Sequence, residues 1–334
     1  MNNNDFKEMV SILIPVYNAA EFLRQCLDSI VSQTYQELQV VIIDYGSTDD
    51  SLSICEEYAT KHAYFEVYHQ ENIGVAETRN RLLDHVAGDY VLFIDADDWI
   101  DPQMVEYLET KARTFHADIV TCHAFIFEND KVENNVSAAV FPVQEEVWDR
   151  ESIVREFLGP NAFMHVLWSK LFDAKFVRNA RFVKEISHGE DSLFVWQLFQ
   201  KVEKVVMTTR KLYHYRMSAT SITHQSFSLK KMSLLVACER IYEDTVRFWP
   251  QYVDFARANL CLANMQLLIS AAQCNYKNKE QIQKLQRDFR KNLTCLKRVN
   301  LVDCRLLRKA IFLSHGYFLY RIMLLFLRRV TVTV

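Results

Sequence analysis

Between residues 10 and 127, short runs rich in Val, Ile, Leu, Phe and Tyr recur at intervals of 25 to 29 residues: Val10–Pro15, Gln39–Asp44, Phe65–His69, Tyr90–Ile94 and Ile119–Phe127. Each has the length and composition of a strand. Between the first two, Phe22, Leu23, Cys26, Leu27 and Ile30 repeat at helical spacing, and Asn18 with Glu21 three residues on offers a capping box. Comparable helical signals fill 49–62, 75–86 and 102–116, the last with Pro102 suited to a first turn. Strands separated by helices join as βαβ units. The pattern therefore predicts an α/β fold with a doubly wound, mostly parallel sheet, whose ligand site lies beyond the carboxyl ends of the strands. Residues 131–147 show no clear period and are expected to form a connecting loop. From about 228 the pattern is wholly helical, with Leu234, Cys238, Ile241, Tyr242, Leu260, Met265 and Leu268 in step. An α/β domain over 8–225 and a helical region over 226–334 are expected.

Composition narrows the function. Thirty-nine Lys and Arg against 42 Asp and Glu leave a net charge of −3, so no basic field exists to hold nucleic acid. Half of the residues are hydrophobic, which rules out a disordered chain. The eight cysteines lie scattered without metal-ligand spacing and read as reduced core thiols. Met1–Glu8 has neither the basic start nor the apolar run of a secretory signal, and a cytoplasmic location is expected. Glycine is scarce, six in 334 residues, and four of them fall at turns beside strands or acids: Gly46, Gly74, Gly88 and Gly189.

The chemistry-bearing residues gather at those strand ends. Asp95, Asp97 and Asp98 follow the run Tyr90–Ile94, and crowded carboxylates repel one another unless donors or a cation stand among them. Hard oxygen ligands suit Mg²⁺ or Mn²⁺, although an acidic turn capping the next helix has the same residues. Asp44 leads into Tyr45-Gly-Ser-Thr48, either a nucleoside contact or a helix cap. Arg79 faces either a phosphate or a nearby acid. Glu190 and Asp191 supply either a general base or dipole-favoured acids at a helix start. His214, Tyr215 and Arg216, with Ser218 and Ser221, form a polar cluster that reaches toward diphosphate or metal unless His214 is a packed core histidine.

Assembled, these pieces resemble the family 2 glycosyltransferases, inverting enzymes that use nucleotide-diphosphate sugars on a GT-A fold. The likeness runs through Val10-Ser-Ile-Leu-Ile-Pro-Val-Tyr-Asn18, Ser32-Gln-Thr-Tyr35, Ile43-Asp-Tyr-Gly-Ser-Thr-Asp49, Glu71-Asn-Ile-Gly-Val75, Thr78-Arg-Asn80, Gly88-Asp89 and Phe93-Ile-Asp-Ala-Asp-Asp98. It continues through Trp168-Ser-Lys-Leu171, Gly189-Glu-Asp191 and Tyr213-His-Tyr-Arg216, covering roughly residues 8–225. The resemblance implies that Tyr17 and Asp44 contact the nucleoside and that Arg79 lies near the nucleotide. It further implies Asp97 as the direct ligand of Mn²⁺ or Mg²⁺, with Asp95 nearer the ribose and His214 and Arg216 in reach of metal or diphosphate. Asp191 becomes the base that deprotonates the acceptor hydroxyl, and Glu190 its supporting neighbour.

One position departs from the family. Relatives commonly carry a second acid after the second strand, where this chain has Tyr45, a phenol that stacks or donates instead of only accepting. A UDP-sugar is still the expected donor, and the acceptor a saccharide or lipid-linked hydroxyl in surface polysaccharide or glycoconjugate synthesis. Two rivals share the plan: a non-catalytic relative that binds nucleotide or glycan as a scaffold, and a nucleotidyltransferase. The tail Tyr317–Leu327, flanked by Arg305, Arg308, Lys309, Arg328 and Arg329, is too short and interrupted to span a bilayer. It is expected either to pack against the helical region or a second subunit, or to rest on the inner membrane face.

Overall fold

The structure is a computed structural model that describes residues 8–128, 131–132, 143–160, 162–217, 227–299 and 301–317. The strands are β1 (Val10–Val16), β2 (Leu38–Asp44), β3 (Phe65–His69), β4 (Tyr90–Phe93), β5 (Trp99–Ile100), β6 (Ile119–Glu128), β7 (Lys131–Val132), β8 (Glu145–Asp149), β9 (Lys170–Asp173) and β10 (Lys204–Met217). They form one ten-stranded sheet in the order β3-β2-β1-β4-β9-β6-β10-β5, with β7 on β6 and β8 on β10. β1, β2, β3 and β4 pair in parallel, as do β6 and β10 along the longest ladder. β9 joins the two parallel sets by antiparallel pairing to β4 and β6. Every residue of β1 and β2 is buried, as expected of strands covered by helices on both faces.

The helices of this half are α1 (Ala20–Val31), α2 (Ser51–Lys61), α3 (Val75–Asp84), α4 (Met104–Phe115), α5 (Arg150–Leu158), α6 (Ala174–Val177) and α7 (Glu190–Phe199). α1 buries Leu23, Cys26, Leu27 and Ile30, the stripe read from the sequence. The β1–β4 ladder ends at Leu13–Phe93 while β1 continues along β2 to Val16–Asp44. Pro15, which has no N–H to give, falls beyond the β4 ladder, in keeping with its exclusion from fully paired strands. The carboxyl ends of β1, β2 and β4 thus carry the loops where the sequence concentrates its unusual residues. At the opposite end Gly88 lies against β1, where an added Cβ would meet the Met9 carbonyl at 2.6 Å and the Ser11 amide nitrogen at 2.8 Å.

Several local expectations are corrected. Asn18 adopts φ 47° and caps nothing in its own helix; its Oδ1 accepts from the Thr48 amide (2.8 Å), while its own amide donates to Ser47 Oγ (3.0 Å). The first amides of α1 are served by the neighbouring loop instead: Ala19 donates to Ser51 Oγ and Ala20 to Asp49 Oδ2. Ser47 and Thr48 are not the cap of α2, which Asp50 precedes. Pro102 sits in the turn before α4. Residues 131–147 are not wholly loop, because β7 lies there and β8 begins at Glu145 and adds to β10. Of the cysteines, Cys274 and Cys304 are exposed and Cys238 only half-buried; all eight are free thiols.

The chain divides into two compact units, the first comprising 1–154, 165–184 and 194–221, the second 155–164, 185–193 and 222–334. The second contains α8 (Ser233–Phe248), α9 (Val253–Gln273), α10 (Lys279–Val299) and α11 (Cys304–His315). α9 runs through the core of that unit, burying Leu260, Cys261, Met265, Leu268 and Ala272. α10 lays Ile282, Leu285, Phe289, Leu293 and Leu296 onto the same core at helical spacing, and α11 adds Ala310 and Leu313. No helix among the described residues is long and apolar enough to cross a membrane. The tail beyond Tyr317, and Ser218 and Ser221, lie outside the described residues.

Candidate active site

The parallel register of β2 and β3 places Asp44 beside His69. Asp44 has a fully buried side chain, and its Oδ2 accepts from His69 Nδ1 (2.8 Å) and, at 3.3 Å each, from the amides of Gly46 and Ser47. Its Oδ1 has no hydrogen-bond partner, an expensive state for a buried carboxylate oxygen in isolation. Gly46 makes the turn possible: at φ +85° it sits 3.0 Å, measured to an added Cβ, from the Asn72 amide nitrogen. Tyr17 and Tyr45 stack with centroids 5.1 Å apart and planes 22° from parallel; Tyr17 is 42% exposed and Tyr45 buried. A half-open aromatic surface therefore stands next in sequence to a buried acceptor.

The acidic loop after β4 is held from several sides. Tyr213 of β10 donates its hydroxyl to Asp98 Oδ2 (2.6 Å), and the Tyr213 phenol oxygen itself accepts from the Asp95 amide (3.3 Å). The Arg216 amide donates to Asp98 Oδ1 (2.8 Å), and its Nε to the Asp97 carbonyl (3.1 Å). The Arg216 guanidinium lies 4.5 Å from the Phe22 ring and 4.8 Å from Trp99, and donates to Gln25 Oε1. Asp98 is thereby consumed inside the protein, with burial pushing its carboxyl far above the usual range. Asp95 and Asp97 remain. Asp95 meets Arg79 Nη2 at 3.4 Å; Arg79 is buried and its guanidinium stands 5.7 Å from the Phe182 ring. Burial, then the charge of Asp95, pushes the Asp97 carboxyl up to about 6.

His214 is placed apart from these carboxylates, stacked against Trp99 (5.0 Å, 6°) and Phe125 (5.1 Å, 14°) with Nδ1 unpartnered and burial holding its pKa down. Among the described residues no group of three or more His, Cys, Asp or Glu stands together as a metal cage. His214 is thus not assembled with Asp95 and Asp97. Two carboxylates, one of them with a raised affinity for a proton, do match the hard-oxygen donors that Mg²⁺ or Mn²⁺ uses when phosphate oxygens complete its shell. Arg216 is likewise packed beneath the loop, where it positions the acids.

Glu190 and Asp191 open α7 and are both half-buried in its first turn, where the helix dipole favours negative charge. They follow Gly189, whose φ of +83° suits glycine and whose added Cβ would stand 3.0 Å from Leu234 and 3.2 Å from Ala237 of α8. The amides of Ser187 and His188 donate to Ser233 Oγ at the start of α8, so this strap is fixed to the second unit. Sequence reading missed His69, because its relevance depends on a register that only the paired strands reveal. It named Tyr213 and Asp98 without their bond, whose partners lie 115 residues apart.

A mostly parallel sheet with an acidic loop after β4 and a buried carboxylate at the end of β2 is an α/β arrangement of the GT-A kind. Residues 11–178 match the family described as Glycosyl transferase family 2, and the chain belongs to that family. It is 32% identical over 221 residues to glycosyltransferase GlyA of Streptococcus pneumoniae, a match covering 65% of this chain and 32% of that protein. Among solved structures it resembles S. aureus TarS 1–349 in complex with UDP-GlcNAc, with TM-score 0.69, 19% identity, and coverage of 94% of this chain and 89% of that one. It also resembles the mannosyltransferase PcManGT of Pyrobaculum calidifontis in complex with GDP-Man and Mn²⁺, with TM-score 0.54, 16% identity, and coverage of 98% and 87%.

Proposed function

We propose that this protein is an inverting glycosyltransferase that moves a sugar from a nucleotide-diphosphate donor, a UDP-sugar in the first instance, to a hydroxyl of a saccharide or lipid-linked acceptor. The observation that carries the reading is the pair Asp95 and Asp97 after β4: burial, and then the charge of Asp95, raises the Asp97 carboxyl to about 6, and a divalent cation would relieve the repulsion between the two. Asp44 Oδ1, buried and unpartnered, accepts from the nucleoside, and Tyr17 with Tyr45 forms the surface on which it rests. Asp95 and Asp97 would hold Mn²⁺ or Mg²⁺, which supplies charge neutralisation for a diphosphate leaving group. Asp191 takes the proton from the acceptor hydroxyl as that oxygen attacks the anomeric carbon, with Glu190 its neighbour. One displacement inverts the configuration. A UDP-sugar bound to TarS, and the Mn²⁺ bound to PcManGT, support the donor class and the metal.

Incubation with a panel of UDP-, GDP-, CDP- and dTDP-sugars and saccharide acceptors tests this directly. Release of the nucleoside diphosphate with the sugar appearing on an acceptor is the expected result. Release of pyrophosphate would assign a nucleotidyltransferase instead, and nucleotide binding without turnover across the panel would assign a scaffold.

A further inference from the structure

His69 stands in the βα unit next to the nucleoside-contacting acid and has no part in the reaction as described so far. The β2–β3 ladder runs Val40–Phe65 through Asp44–His69 in parallel register, and the Gln70 amide donates to the Asp44 carbonyl, so the backbones are locked at that point. Side chains paired across a ladder lie on one face. His69 Nδ1 accordingly reaches Asp44 Oδ2 at 2.8 Å, and because a carboxylate only accepts, Nδ1 carries the proton. The imidazole is half exposed and lines a shallow groove of about 380 Å³ with Leu52, Glu56, Thr60 and Tyr68, whereas the carboxylate it holds is fully buried. The other two donors to the same oxygen, the amides of Gly46 and Ser47, stand at the longer distance of 3.3 Å.

A carboxyl group turns about its last side-chain bond with a broad, two-fold preference, so nothing in Asp44 itself distinguishes its oxygens. The bond from His69, the shortest of the three to Oδ2, is the main source of the distinction, and Oδ1 is left with no partner. We propose that His69 is a positioning residue for nucleotide recognition, holding Asp44 so that a single buried oxygen is presented to the N–H or hydroxyl of the nucleoside. This rests on the nucleotide-site reading above. Charge-assisted hydrogen bonds are among the stronger ones available to a protein, so losing this one is expected to be felt in ligand affinity.

Calorimetric titration with whichever of UDP, GDP, CDP and dTDP binds best in the presence of Mn²⁺ is the test. His69→Phe keeps a ring but removes the donor and should weaken binding roughly tenfold, as expected for losing a hydrogen bond to a charged group. His69→Asn, which restores a donor nitrogen near the Nδ1 position, should stay within about twofold of the native protein. In an Asp44→Ala background, His69→Phe should have no further effect, because a residue that acts through another cannot act without it. Binding by His69→Phe as tight as native, equal losses in the Phe and Asn variants, or an undiminished effect in the Asp44→Ala background would each overturn the proposal while leaving the nucleotide site standing. If Asp44→Ala alone leaves affinity unchanged, or none of the four nucleotides binds, the site reading itself fails and this assignment fails with it.

Discussion

Asp97 and Asp191 are assigned opposite duties, and single substitutions separate them. Burial and the charge of Asp95 raise the Asp97 carboxyl to about 6 in the metal-free protein, so a proton and a cation compete for it. Mn²⁺ affinity is therefore expected to be level above about pH 6 and to fall by about tenfold per pH unit below it, the slope for one displaced proton. A titration series from pH 5 to 8 reads this, and a flat profile would remove Asp97 from the ligand set. Asp191→Asn should leave nucleotide affinity within about twofold while turnover falls by about 10² to 10⁴, the usual loss on removing a general base. At this scale the sequence was most legible where candidate residues stand beside their own strand. Asp44, Tyr45, Arg79, Asp95 and Asp97 lie at the ends or early turns of elements that the apolar period had already marked. His69 and the packing of Arg216 were not legible, and for His214 a packed position was only one of two readings. Their partners are set by strand register and by aromatic neighbours such as Trp99, Phe22 and Phe125, which are distant in the chain.

β10 connects the far half of the sheet to the acidic loop. Its residues Lys211–Met217 pair with β6, its Tyr213 and His214 pair with β5, and through Tyr213 and the Arg216 amide it fixes both oxygens of Asp98. Trp168 stacks on Tyr213 at 4.9 Å and on Tyr215 at 5.1 Å, which holds the strand's aromatic face in place. Tyr213→Phe deletes one hydroxyl and with it two bonds to the loop, without a change of shape. It is expected to weaken Mn²⁺ binding by about 10- to 100-fold, the range found when groups that orient metal ligands are removed, with little loss of thermal stability. Comparing Mn²⁺ titrations with melting curves for the two proteins checks it; equal metal affinity would show that the loop holds its form without β10. The parallel strands β1 to β4 and β6 were readable because helices of clear period separate them, whereas β10, parallel to β6, was not among the strands read. β8 and β9 were missed for physical reasons: β9 is four residues long and contains a buried lysine, Lys170, and β8 is an edge strand of mostly exposed polar residues. Neither carries the continuous apolar run by which β1 and β2 announce themselves.

Each of the two units has a core of its own, and the helical one ends, among the described residues, in a helix with two unlike faces. α11 buries Ala310 and Leu313 while Arg305, Arg308 and Lys309 stand exposed. Clustered exposed cations on one face of a helix suit an anionic membrane surface, and each contributes about 1 kcal/mol near such a surface. We expect the protein to cosediment with vesicles containing anionic lipid and the triple reversal Arg305→Glu, Arg308→Glu, Lys309→Glu to reduce that binding at least tenfold while the buried face keeps the fold. Equal cosedimentation of the two proteins would take α11 out of any membrane contact. The helical nature of this region was evident from the period of its apolar residues, but which chain segments join it was not. The strap 185–193 belongs to this unit through Ser233 and the close approach of Gly189 to α8, contacts between residues more than 40 positions apart.

The central claim is that Asp95 and Asp97 form a metal-assisted nucleotide-diphosphate site. Calorimetric titration of the full chain with UDP, with and without Mn²⁺, and of Asp97→Ala under the same conditions tests it most directly. Saturable binding that strengthens markedly with Mn²⁺ and loses that enhancement in Asp97→Ala is the predicted result; UDP binding that is indifferent both to Mn²⁺ and to the loss of Asp97 would contradict it.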